Sequence, residues 1–234
     1  MQASKKNSWQ IFDRIYAQYD FLNHLLSFGF DVYWRRRLSL LFPPSPHQRI
    51  LDLATGTADV PIALVRHMPC VEVIGIDLSG NMLELAERKI SRRGLNSKIQ
   101  LTKGDIRHVP FNQAIFDGTT IAFGIRNVPD PSDVLAEMHR VLKADGQTCI
   151  LEFSLPSHPV LKFFYLSYLR SIVPWVGGII SGNFSAYRYL NSTIEQFPCG
   201  EDFCRLMRNV GFVDVDVYPL LFGIASIYKG KKPA

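Results

Sequence analysis

The feature that most limits the fold of this chain is Asp52-Leu53-Ala54-Thr55-Gly56-Thr57-Ala58-Asp59, where an apolar run stops on a carboxylate, turns at one glycine and opens a helical pattern. Arg49 to Ala54 has the near-continuous apolar character of a strand covered on both faces, and a helix is predicted from about Asp59. The alternation then repeats. Val71 to Ile76 reads as a second strand, a helix runs from Gly80 to near Gly94, and Lys98 to Lys103 and Phe116 to Phe123 read as further strands. Val134, Leu135, Met138, Val141 and Leu142 recur on one helical face, with Asp130 placed to cap that helix and Pro131 at its first position. Gln147 to Phe153 is the fifth predicted strand; a helix around Glu201 to Val210 leads to a terminal pair, Phe212 to Tyr218 and Gly223 to Tyr228. Right-handed βαβ crossovers build an α/β fold with an open, mostly parallel sheet of seven strands and a ligand crevice at the strand carboxyl ends. The short final connection favours an antiparallel last strand.

Around this core lie two other kinds of sequence. Residues 7 to 42 are helical and aromatic-rich, with Trp9, Phe12, Ile15, Tyr16 and Tyr19 in an apolar stripe that core packing alone would explain. Pro43-Pro44-Ser45-Pro46 blocks helix continuation and marks a joint before the core. Pro159 to Gly182 is apolar enough to be considered as a membrane span, but Lys162, Arg170 and Pro174 interrupt it, so one or two amphipathic helices are predicted. The 234 residues suit a single domain: an N-terminal helical lid (1–47), a cofactor-binding core (48–156), an apolar helical insert (157–198) and a C-terminal helix with a strand pair (199–234).

Composition narrows the function classes. A formal charge of +5 is spread in runs such as Arg35-Arg36-Arg37, Arg92-Arg93 and Lys229 to Lys232, which read as solvated faces. No nucleic-acid motif accompanies them, so no nucleic-acid partner is expected; weak attraction to anionic lipid fits better. Cys70, Cys149, Cys199 and Cys204 show no CxxC spacing and the six histidines no ligand spacing, so a reduced, cytoplasmic protein without a metal is expected. The amino terminus shows no basic and apolar signal-peptide pattern.

Asp77 ends the second strand twenty-one positions after Gly56, where a carboxylate can accept hydrogen bonds from both ribose hydroxyls of a nucleotide-like ligand. NAD enzymes and methyltransferases share that spacing. A dinucleotide pyrophosphate demands G-x-G-x-x-G, whereas S-adenosyl-L-methionine carries no phosphate, and here Gly56 stands alone. Asp105 closes the third strand, where it can accept from the adenine amino group while Ile106 offers a backbone N–H. Asp52 is expected near the methionine amino group, or else only fixes the loop by accepting from backbone N–H groups. The pattern is that of a class I, Rossmann-like S-adenosylmethionine-dependent methyltransferase.

Further stretches carry a more specific signal: Tyr19-Asp20-Phe21-Leu22-Asn23 with Ser27, Gly29 and Trp34; Phe123-Gly124-Ile125-Arg126-Asn127-Val128; Leu151-Glu152-Phe153-Ser154; and Tyr187-Arg188-Tyr189-Leu190 with Ser192. Through them the chain closely resembles the ubiquinone/menaquinone-biosynthesis C-methyltransferases, from about Phe12 to Gly230. The resemblance implies cofactor contacts at Thr57, Asp77, Asp105 and Ile106, with the cofactor passing close to Ala122. The family often has Gly at the position of Ala58, and that alanine fits the turn if its φ is negative. The implied reaction is C-methylation of a prenylated quinol, demethylmenaquinol to menaquinol; a benzoquinol ubiquinone precursor or another lipophilic acceptor stays open.

A reduced quinol is the required form, because an ionised ring hydroxyl pushes electron density onto the neighbouring carbon. Arg126 and Asn127 follow the fourth strand at the crevice and can donate to the developing oxyanion. Arginine stays protonated, so Arg126 acts as a stabiliser or supports a water that takes the proton; alternatively it only pairs with a carboxylate or helix terminus. The resemblance gives Tyr19, Asp20 and Asn23 to a lid that excludes water; a helix cap is the alternative for Asp20. Tyr187 and Tyr189 line the quinol channel or pack on the sheet, and the insert around Phe163, Phe164, Tyr165, Leu169 and Trp175 suits a polyprenyl tail. Peripheral contact with the inner face of the cytoplasmic membrane is expected, and a homo-oligomer is left open.

Overall fold

The computed structural model describes residues 24, 27–181 and 184–234, with backbone alone at 180, 181 and 185–187. The expectations for Tyr19, Asp20 and Asn23, and for the helical stripe from Trp9 to Tyr19, lie outside these residues. The described chain opens with α1 (Phe30–Ser39), which stops at Ser39, short of the predicted end at residue 42. Leu40 to Phe42 form a turn that buries the Phe42 ring instead.

Five strands follow the alternating pattern: β1 (Arg49–Leu53), α2 (Asp59–His67), β2 (Glu72–Asp77), α3 (Gly80–Ser91), β3 (Ile99–Lys103), β4 (Phe116–Ala122), α4 (Pro131–Val141) and β5 (Leu142–Phe153). The insert is α5 (Pro159–Ser167), a π-helical turn at Tyr168–Ile172, α6 (Val173–Ser181) and α7 (Phe184–Gln196). The chain closes with α8 (Glu201–Val210), β6 (Val213–Leu220) and β7 (Ala225–Lys231). The sheet order is β3-β2-β1-β4-β5-β7-β6. Pairings among β1 to β5 are parallel, and β7 runs antiparallel between β5 and β6. Because β1 to β5 point the same way, Asp52, Asp77, Ala122 and Glu152 all come to one edge.

Local chemistry sets the helix starts. Ser79 accepts the Met82 N–H ahead of α3, and Asp130 accepts the Ser132 N–H ahead of α4, with Pro131 in the first turn. Helix α8 ends on Gly211 at φ 111°, a conformation that costs glycine nothing. Strand β5 begins earlier than the predicted Gln147, because Leu142 pairs with Phe116 before the register shifts to Gly118 and Gln147.

Alternate strand side chains feed two apolar layers. Leu51, Leu53, Ile121 and Ile150 pack against α4 and α8 through Val134, Leu135, Met138, Phe203 and Met207. On the other face Ile50, Val73, Cys149 and Leu151 meet Trp34, Leu38, Leu64 and Ala86. A third cluster, Tyr165, Leu169, Val173 and Ile194, seats the insert on Phe153.

The strand edge itself is tightly packed. A Cβ on Gly124, just after β4, would lie 2.7 Å from the Ala54 Cβ just after β1. Neither backbone-attached methyl can rotate away, so Gly124→Ala is expected to destabilise the protein by roughly 1–3 kcal/mol, read as a lower urea midpoint. An unchanged midpoint would show that the two loops are not held at this separation.

Candidate active site

The first loop of the edge is built around Asp77. Its Oδ2 accepts the Gly56 N–H at 2.8 Å and its Oδ1 accepts the Ser79 N–H at 3.0 Å, so one carboxylate fixes the turn after β1 and the turn after β2. Gly56 has φ 54°, and a Cβ there would meet nothing within 4 Å, leaving open space where a ligand can approach the backbone. Ala58 corrects an expectation. Its φ is 65°, not negative, so the alanine sits in the left-handed conformation that glycine would adopt without strain. The Thr57 hydroxyl accepts from Lys89 Nζ at 3.0 Å, and Lys89 also reaches Asp59 at 2.7 Å.

Asp52 lies beneath this turn and is 1% exposed. Thr120 Oγ1 donates to its Oδ1 at 2.6 Å across the β1–β4 pair. Burial pushes its carboxyl up to about 7, with the Asp77 charge adding to the rise and Arg35 and the Thr120 hydrogen bond opposing it. A carboxyl so placed gains most from an incoming cation.

Asp105 is differently engaged. Arg107 donates to it from Nε at 3.0 Å and from Nη2 at 2.6 Å, and the Arg107 N–H adds a third bond at 2.9 Å. Burial raises its carboxyl, but Arg107 outweighs that and holds it below its ordinary range. Asp105 thus remains an acceptor with a cation already attached, beside the buried Ile106. Ala122 ends β4 with its side chain half-buried.

After β4 the chain turns sharply. Phe123 has φ 57°, its N–H donates to Leu151 O at 2.8 Å, and a 3₁₀ turn follows at Ile125–Asn127. The Arg126 side chain folds inward. Its Nη1 donates to Glu152 Oε1 at 2.7 Å and to Phe123 O at 2.6 Å, while its backbone N–H meets Glu152 Oε2 at 3.3 Å. Both side chains are withdrawn from water, at 3% and 0% exposure. The guanidinium carbon stands 5.3 Å from the Phe153 ring centroid, and Arg126 Nε is buried without an acceptor among the described residues. Asn127 Nδ2 donates to Phe123 O at 3.3 Å. Of the two roles open to Arg126, the pairing with a carboxylate is therefore present, and an N–H is left over for a further acceptor.

Three residues join this edge that the sequence reading gave no role there. Glu152 stood in a matching stretch, and an acidic residue inside the apolar run Ile150 to Phe153 is itself a signal, since a buried carboxylate needs a partner. Tyr165, assigned to the tail-binding insert, is buried close enough to Arg126 and Glu152 to feel their charges; burial pushes its phenol well up. Arg35, read as part of a solvated run, is 8% exposed, whereas Arg36 and Arg37 are exposed as expected. Leu169 is also buried, whereas Phe163, Phe164 and Trp175 face outward. Tyr189 is half-buried, and the Tyr187 side chain lies outside the description.

The sequence model described as the ubiE/COQ5 methyltransferase family matches residues 1–232. The "Ubiquinone/menaquinone biosynthesis C-methyltransferase UbiE" of Geotalea uraniireducens is 42% identical over 95% of this chain and 95% of its own length. The "Demethylmenaquinone methyltransferase" of Thermus thermophilus is also 42% identical, over 95% of this chain and 100% of its own. Among solved structures, the Haemonchus contortus enzyme titled phospholethanolamine N-methyltransferase 2, in complex with S-adenosylhomocysteine, superposes with a TM-score of 0.71 at 16% identity, covering 96% of this chain and 60% of that one. A SAM-dependent methyltransferase of Thermotoga maritima gives 0.67 at 19% identity, covering 97% and 100%. These two likenesses bear on the fold alone.

The buried Asp52 carboxyl sets a pH dependence. Its folded value near 7 lies above the ordinary 3.8, so between these the native state holds more protons than the unfolded chain and stability falls as pH rises; above about 7 the deficit is constant. Asp52→Asn removes the group while keeping an acceptor for Thr120. The stability of this variant relative to wild type is expected to rise by roughly 2–3 kcal/mol between about pH 5 and about pH 8 in urea unfolding. Parallel curves for the two proteins would refute the raised value.

Proposed function

The chain belongs to the ubiE/COQ5 methyltransferase family, and from that membership we propose that it methylates a ring carbon of a prenylated quinol, turning demethylmenaquinol into menaquinol. It is a methyltransferase with the class I fold, and its cofactor is S-adenosyl-L-methionine. The observation that carries the substrate reading is the single edge that holds the open space over Gly56, a buried cation at Arg126 and, through Phe153, an apolar insert.

The residues present fit the cofactor. The open space over Gly56 admits a ligand against the backbone, and the Asp77 carboxylate stands beside it at the end of β2, where it can accept from ribose hydroxyls. Asp52 faces the ammonium end, Asp105 and the Ile106 N–H the adenine, Thr57 contributes through its backbone, and Ala122 lets the cofactor pass without a side chain in the way. Bound there, S-adenosyl-L-methionine supplies an electrophilic methyl group.

Arg126 cannot serve as the base because its guanidinium stays protonated. Its Nε–H is the donor left for the ring oxygen, and it is already oriented, since Glu152 and Phe123 O hold Nη1. Asn127 follows it in the chain, its side-chain amide offering a second donor group. Family membership supports assigning Tyr19, Asp20 and Asn23, which lie outside the described residues, to excluding water from the site. Exclusion matters because each hydrogen bond to the developing oxyanion counts for more away from solvent.

The substrate tail calls for contact with lipid. No described helix is long and apolar enough to cross a membrane. Phe163, Phe164, Trp175 and Ile179 each expose about two-thirds of their surface on the insert, with Lys162 among them, and such a surface suits shallow, reversible insertion at an anionic interface. In flotation with phosphatidylglycerol-containing vesicles, the protein is expected to bind, to be released in part by high salt, and to lose most binding on the change of Phe163 and Trp175 to serine. Equal flotation of wild type and variant would move the contact off the insert.

Incubation with labelled S-adenosyl-L-methionine and reduced demethylmenaquinol is expected to yield a product one methyl heavier; the reduced benzoquinol precursor is the comparison arm, since relatives are named for both quinones. Bound cofactor with neither quinol methylated would sink the proposal. Arg126→Ala strands a buried carboxylate, at a cost of roughly 3–5 kcal/mol, so the informative variant is the double change of Arg126 and Glu152 to glutamine. A folded double variant is expected to bind cofactor and lose about 10²-fold or more in turnover. Turnover near wild type would remove Arg126 from the chemistry.

A further inference from the structure

Arg35 is a buried cation near this edge that neither the turnover chemistry nor the substrate uses. It leaves α1 one residue after the buried Trp34, with its guanidinium carbon 5.5 Å from the Phe123 ring centroid. Phe123 directly follows Ala122, where the cofactor passes. From the same position Arg35 acts on the Asp52 carboxyl as the opposing positive charge. A helix outside the parallel core thus delivers a guanidinium to the strand end at which Asp52 awaits a cation.

Its orientation is fixed by a built network. Arg35 Nη1 donates to Asp31 Oδ2, His24 Nδ1 lies 2.6 Å from the same oxygen, and the Ser27 hydroxyl donates to Asp31 Oδ1 at 2.7 Å. Burial pushes Asp31 up, but Arg35, Ser27 and His24 outweigh it, so the carboxyl stays ionised. Asp31 and Arg35 are 1% and 8% exposed. Burying an ion pair costs desolvation energy that a solvated arginine would avoid, and here the attraction to Asp31 and the Ser27 hydrogen bond offset it, so the guanidinium is held in place before any ligand arrives.

A guanidinium offers five donors in a planar fork matched to a carboxylate. The part of the cofactor beyond the sulfur is a zwitterion, with an ammonium and a carboxylate on one carbon. Asp52 answers the first charge; Arg35, over the Phe123 ring and acting on Asp52, is the cation placed to answer the second.

Resting on the cofactor reading, we infer that Arg35 binds the α-carboxylate of S-adenosyl-L-methionine, held for that purpose by Asp31, so that Arg35 and Asp52 together clamp the amino-acid end. The site then selects an intact amino acid and rejects nucleosides that lack the carboxylate.

Isothermal titration of the full chain with S-adenosyl-L-methionine and with decarboxylated S-adenosylmethionine, which keeps the ammonium and lacks only the carboxylate, isolates the contact. Wild type is expected to prefer the intact cofactor by about tenfold or more, and Arg35→Gln to erase that preference by losing affinity for the intact cofactor alone. If the glutamine variant does not fold, Arg35→Lys keeps a charge opposite Asp31 but loses the fork, and its preference is expected to fall at least about threefold. A preference unchanged in a folded variant, an equal loss for both ligands, or a wild type that binds both alike overturns the assignment while leaving the cofactor reading intact. A wild type that binds neither ligand overturns both.

Discussion

The Arg126–Glu152 pair ties together parts of the molecule that the sheet alone would leave independent. Glu152 sits in β5, and Arg126 sits in the turn that follows β4, so the 2.7 Å contact fixes where the fourth strand's loop turns back. Two full charges out of water are costly, and the cost is offset here by the Coulomb attraction and by hydrogen bonds from the Arg126 and Phe153 N–H groups to the carboxylate. Burial still pushes Glu152 up against the pull of Arg126. The guanidinium lies over Phe153, and Phe153 carries the apolar cluster of the insert. The insert is therefore seated, through Phe153, on the side of the same ion pair.

Backbone strain gathers at the same edge. Ala54, Ala58 and Phe123 all have positive φ, between 51° and 65°, in the loops that follow β1 and β4. Each costs an L-residue something on the order of 1 kcal/mol, and the surrounding packing must enforce it. At Phe123 the enforcement is visible: its N–H is held by Leu151 O, its carbonyl takes both Arg126 and Asn127, and its ring packs 4.5 Å from Phe153. The strained turn at Phe123 brings its carbonyl to both Arg126 and Asn127 at the carboxyl end of β4.

Much of this was readable beforehand, for reasons that differ by residue. Asp130 and Pro131 start α4 because their effects are local, and Asp77 sits on Gly56 because a strand end and a loop recur at a fixed spacing. Terminal antiparallel pairing followed from the short connection alone. The failures share a cause: they concern groups whose partners are remote in sequence or masked by neighbours of the same type. Arg35 is chemically indistinguishable from Arg36 and Arg37 until helix phase turns one of the three inward. Tyr165 looked like one more aromatic residue in an apolar stretch, and only the folded insert brings it to Arg126. The φ of Ala58 depends on a turn that alanine does not favour, so composition pointed the wrong way.

The π-helical turn at Tyr168–Ile172 acts as a phase corrector for the insert. In an uninterrupted α-helix, each step of four residues advances roughly 40° around the axis, so Tyr165, Leu169, Val173 and Gly177 would spiral away from a common line. A wider turn takes up part of that advance, and all four are buried. The outer rim is phased by the same turn, with Trp175 and Ile179 pointing away from the sheet. Loss of a single residue within Tyr168–Ile172 would act like a screw turned by about 100°, driving aromatic rim residues toward the body and core residues into solvent. In this stretch the length of the chain is under tighter constraint than the identity of its side chains.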